Sequence, residues 1–107
     1  MSTICYNKLV RDRIPPEIIQ TTGKTCVIEI LSDADYLKMV DAKLDEELAE
    51  YHNDQNIEEL ADLIEIIYAA ARARGYSLEQ LEAVRAEKAA KRGSFEKKLL
   101  LKEVIAG

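Results

Sequence analysis

The sequence predicts a mainly α-helical protein. Its core is an antiparallel helical hairpin, joined by a third long helix, a short N-terminal helix and room for one small two-stranded β element. Two observations carry this. Leu37, Val40, Leu44, Leu48 and Tyr51 recur at three- and four-residue steps, the period of one helix face. Ser32, Asn56 and Ser77 each precede an acid or glutamine three residues on, the pattern that opens a helix by reciprocal capping. No low-complexity tract or Pro/Gly/Ser linker interrupts the 107 residues, so a single domain over 1–107 is expected.

Pro15 and Pro16 suit the first turn of a short helix, where a missing N–H costs nothing, and Gly23 suits its end. Cys26, Val27, Ile28 and Ile30 favour a strand over Lys24–Leu31. From Ser32 a long helix is expected to about Tyr51, then a polar loop, His52 to Asn56. A second runs from Ile57 to about Arg74 and closes at Gly75; its LIEIIYAAA stretch is apolar nearly all round, which predicts burial on most faces. A third follows Ser77, carries Lys88, Lys91 and Arg92 where cations complement the helix dipole, and ends at Gly93. Residues 95–105, with Leu99, Leu100 and Leu101, are expected to be extended and able to pair with the 26–31 strand.

A net charge of −5 argues against a nucleic-acid polymer as partner, since phosphate backbones attract basic surfaces. It is compatible with a single nucleotide neutralised by a cation. No apolar run approaches the roughly 20 residues that span a bilayer, so no membrane partner is expected. Met1 to Asn7 lacks the apolar core of a signal peptide, so cytoplasmic residence is expected. Cys5 and Cys26 read as reduced, partly buried thiols, and His52, the single histidine, leaves no zinc set.

The informative stretch is KLDEELAEYHNDQNIEELADLIE. Lys43, Glu46, Glu47 and Glu50 share one helix face, distinct from the Leu37/Val40/Leu44/Leu48 stripe. Glu59, Asp62 and Glu65 form a slowly drifting row on the next helix. With a short loop between them, the helices pack antiparallel, and Glu47 and Glu50 then face Glu59 and Asp62. Converging carboxylates repel, and the simplest compensation is a hard divalent cation with oxygen ligands, Mg²⁺ first and Mn²⁺ tolerated. The plain alternative is a solvated acidic helix face.

Glu47-x-x-Glu50 followed by Glu59-x-x-Asp62 resembles the E-x-x-E / E-x-x-D signature of the all-α nucleoside triphosphate pyrophosphohydrolases. The flanks YNKLVRDRIPPEII, EILSDADYL, EELADLIEIIYA and KAAKRGSFEKKLLLKEV are similar to a branch of short, single-domain, MazG-like or phosphoribosyl-ATP-pyrophosphohydrolase-like members. The resemblance covers nearly the whole chain in order. It implies a helical homo-oligomer, dimer or tetramer, that binds Mg²⁺ and hydrolyses the α–β phosphoanhydride of a nucleotide to a monophosphate and pyrophosphate. Glu47, Glu50, Glu59 and Asp62 would ligate the metal. Only eight residues, Tyr51 to Glu58, separate the two motifs, fewer than MazG-like enzymes usually show.

On that reading Glu46 or Glu50 orients the attacking water as base. Lys8, Arg11, Lys43, Lys88, Arg92 and Lys97 are the candidate phosphate ligands. Two alternatives stay open: a hydrolase specific for phosphoribosyl-ATP, and a non-catalytic helical module that binds nucleotide or metal and self-associates.

Overall fold

The computed structural model describes residues 2–107; Met1, the first residue of the segment read above for a signal peptide, lies outside them. Among the described residues there are four helices and no strand: α1 (Ile14–Thr22), α2 (Asp33–Asp54), α3 (Ile57–Ala73) and α4 (Leu78–Arg92). The chain divides into two compact units, Met1–Tyr76 with α1 to α3, and Ser77–Gly107 with α4 and the tail.

In the first unit α2 and α3 pack on one another. Their termini form where the side chains can satisfy orphan amides. Ser32 Oγ accepts the Asp35 N–H at 3.2 Å, and Asn56 Oδ1 accepts the Glu59 N–H at 2.9 Å. α2 runs past Tyr51 to Asp54, so the expected five-residue loop shrinks to Gln55 and Asn56. Gln55 makes the reversal in the left-handed region at φ 52°, donating its N–H to the Tyr51 carbonyl at 2.7 Å. At the far end of the hairpin Arg74 donates to Asp41 at 3.3 Å, an exposed contact that accords with the antiparallel register. α3 closes with the Gly75 and Tyr76 amides donating back to Arg72 and Ala71, the paired bonds that a left-handed glycine permits.

The core of this hairpin is small: Val40 is fully buried and Ile66 nearly so. Two expectations about its faces are corrected. Leu48, assigned to the packing stripe, is 43% exposed, whereas Glu47, assigned to a separate acidic face, is only 7% exposed. Glu47 lies about two turns beyond Val40 and so shares its direction. The second correction concerns α3, which is not buried on most faces: Ile57, Leu60, Ile64 and Ile67 form an exposed row opposite the Asp62/Ile66 side.

The β element is absent. Residues 24–31 form neither helix nor strand, with Val27 and Ile30 almost wholly exposed. β-branched side chains favour a pleated surface only when a neighbouring strand supplies the ladder. Residues 98–107 of the second unit are likewise non-helical and unpaired, and Phe95 is fully exposed. α4 itself opens with the full reciprocal Ser77–Gln80 cap. Cys26 is partly buried, but Cys5 is exposed, contrary to expectation. Among the described residues no helix is long and apolar enough to cross a membrane.

Since Val40 is the one fully buried large side chain among the described residues, Val40→Ala is expected to destabilise the protein by about 2 kcal/mol, read from the denaturant midpoint.

Candidate metal centre

The hairpin turn brings the ends of two acidic runs together. Carboxylate oxygens of Glu47, Glu59 and Asp62 lie within 4.8 Å of one another, and a second set, Glu46, Glu47 and Glu50, meets the same limit. Glu47 belongs to both. Of the four predicted ligands, Glu47, Glu59 and Asp62 thus come together across the two helices, while Glu50 joins Glu47 in the α2 set.

Glu47 is the buried member. Its Oε1 meets the Lys43 ammonium at 3.4 Å, one turn back on α2. Its Oε2 is buried with no hydrogen-bond partner, and so is Oε2 of Glu59. A buried polar atom left unpaired costs about 1–3 kcal/mol, more when charged. Burial, then the negative charge of Glu50, push the Glu47 carboxyl above the ordinary value of 4.5, with Asp62 adding to the push and Lys43 opposing it. Loss of water, then the charges of Glu50, Asp54, Asp62 and Glu47, raise Glu59 as well. Asp54 was missed by sequence reading. Had the helix been extended past Tyr51, its position one turn after Glu50 would have revealed it.

Glu46 stands apart electrostatically. Burial pushes its carboxyl up, but the charge and hydrogen bond of Lys43, with those of Lys8, outweigh it and hold the group below 4.5. Lys8 and Lys43 both reach Glu46 Oε1 at 3.4 Å. Arg11 donates to Asp62 Oδ1 at 2.7 Å. Three of the six predicted phosphate ligands thus lie on the carboxylates themselves. The other three, Lys88, Arg92 and Lys97, belong to the second unit. There Lys88 and Arg92 flank a shallow hollow on α4, and Arg92 and Lys97 line another around Gly93–Phe95. His52 is exposed beside Tyr51, away from this pairing pattern.

The residues present fit a hard divalent cation. The donor set is all oxygen, and two buried carboxylate oxygens have no other partner.

No family model matches the chain, and no solved structure matches it. Over 43 residues it is 60% identical to an uncharacterized protein of Mycolicibacterium smegmatis, a stretch covering 40% of this chain and 43% of that protein. The matched part is thus less than half the length of that curated relative.

The raised carboxyls give a signed pH dependence. Their folded pKa exceeds the unfolded one, so the metal-free protein should lose stability as pH rises from 4.5 through their folded values. Glu46 acts oppositely, and its contribution is lost only as pH falls below 4.5. Glu47→Gln is expected to flatten the loss above 4.5, measured as Tm against pH in chelator.

Proposed function

We propose that this protein is a Mg²⁺-dependent nucleotide pyrophosphohydrolase that cleaves the α–β phosphoanhydride of a nucleoside triphosphate or a related nucleotide. The observation that carries the reading is the buried, unpaired oxygen of Glu47 within a cluster of acids drawn from two helices. The sequence resemblance to MazG-like and phosphoribosyl-ATP-pyrophosphohydrolase-like proteins supports it. Glu47, Glu59 and Asp62, with Glu50 beside them, would hold Mg²⁺ or Mn²⁺. When bound there, such an ion would supply positive charge against the phosphate oxygens.

The remaining roles follow from the chain's own groups. Glu50 forms no ion pair among the described residues, so its carboxylate is available to orient water. Glu46 is engaged by two ammonium groups, which suits it to fixing Lys8 and Lys43 rather than to taking a proton. Lys8, Arg11 and Lys43 supply positive charge for a polyphosphate at the cluster. Lys88, Arg92 and Lys97 stay candidate phosphate ligands by sequence, within the second unit alone. Self-association belongs to the same proposal: Ile57, Leu60, Ile64 and Ile67 offer an exposed apolar row on α3, and a second copy would cover it.

A second reading, a metal-binding helical module without turnover, is favoured by the two-residue turn at Gln55–Asn56, which leaves little chain near the acids for recognising a base. The two readings separate on pyrophosphate release from a nucleotide panel that includes phosphoribosyl-ATP, with and without Mg²⁺. Metal-dependent release that Asp62→Asn abolishes is expected, and the ranking names the substrate. Cation binding with no release from any nucleotide would leave the non-catalytic module. For the assembly, Ile64→Asp is expected to shift the sedimentation coefficient to that of a single chain; a native protein already sedimenting as one chain would remove this part of the proposal.

A further inference from the structure

The segment before α1 has no helix or strand of its own, and two side-chain ion pairs tie it to the hairpin. Lys8 reaches Glu46 at 3.4 Å and Arg11 reaches Asp62 at 2.7 Å, across 38 and 51 residues of sequence. Neither pair is structural in the sense of being buried: the Arg11 and Asp62 side chains are 58% and 41% exposed. Exposed pairs of this kind are weak and easily exchanged. Asp62, however, is one of the three carboxylates whose oxygens converge within 4.8 Å, and Glu47 beside it is nine-tenths buried with an oxygen that nothing in the chain satisfies.

We infer that the segment 8–11 is a strap on the acidic cluster, closed by Arg11 in the metal-free protein and released when a divalent cation binds. This rests on the reading of the cluster as a metal centre. The guanidinium on Asp62 and a dication held by Glu47, Glu59 and Asp62 draw on the same carboxylate at short range, and like charges brought that close repel. Arg11 is the counter-ion best placed to yield. Lys43 sits on α2 one turn from Glu47 and is fixed by its helix, whereas Arg11 lies on irregular chain. Release would also free the Arg11 fork for an anion entering with the cation, the geometry for which a guanidinium is suited.

The test uses the full chain, Mn²⁺ as the cation, calorimetry for its binding and trypsin for the strap. Trypsin must take the Arg11 side chain to cut the Arg11–Asp12 bond, so cleavage there reports whether Arg11 is free of Asp62. In the native protein saturating Mn²⁺ is expected to speed that cleavage several-fold. Asp62→Asn should be cut fast with or without Mn²⁺. Glu59→Gln, which weakens the cation site but keeps the Arg11 pair, should be cut slowly in both conditions. Arg11→Gln should bind Mn²⁺ several-fold more tightly than the native protein. Mn²⁺ binding with unchanged cleavage after Arg11, or equal or weaker Mn²⁺ binding by Arg11→Gln, would overturn the strap while leaving the metal centre standing. Absence of Mn²⁺ binding by both native protein and Arg11→Gln would overturn the metal centre and the strap together.

Discussion

A carboxylate occupies a place on α2 where a helical hairpin would ordinarily set an apolar side chain. Glu47 follows Val40 by about two turns and so points into the same interface, toward α3. Burial makes its charge costly, and one lysine on its own helix answers only one of its oxygens. Most of the polar architecture of the first unit follows from this. Lys43 is placed one turn earlier, Glu59 and Asp62 arrive from the opposite helix, and Lys8 and Arg11 are drawn onto the outer acids.

The close turn is what makes that arrangement possible. Gln55 reverses the chain in a single left-handed residue, and Asn56 immediately caps the next helix, so the acids of α3's first turns stand opposite those of α2's last. At the far end Arg74 meets Asp41 across the two helices, an exposed pair that accords with the same register. A hairpin closed by a tight turn and filled by Val40 and Ile66 presents its carboxylates from helices rather than from loops, and helices hold side chains to narrower positions.

Much of this was legible in the sequence because it depends on local chemistry. The caps at Ser32, Asn56 and Ser77 and the stops at Gly23 and Gly93 announce helix limits through hydrogen bonds that span only a few residues. The acids were legible through spacing. What was not legible depends on the angle at which two helices meet. Spacing placed Leu48 inward and Glu47 outward; a modest rotation about the α2 axis reverses them, and nothing along one helix specifies that rotation. The partners of Lys8 and Arg11 lie 38 and 51 residues away and could be read only as cations in search of an anion. The strand over 24–31 failed for a related reason: its composition is right, but pairing belongs to two segments at once.

α3 faces two ways. Glu59 and Asp62 share the side that carries Ile66, while Ile57, Leu60, Ile64 and Ile67 occupy the opposite side. Drift on one side need not disturb the other. Lineages descended from such a helix can replace the outer aliphatic row, and with it any quaternary arrangement, while the inner acids stay fixed, or lose the acids and keep the row. Relatives of this chain are therefore best grouped by each half of α3 separately, since a tree built on one half has no obligation to match a tree built on the other.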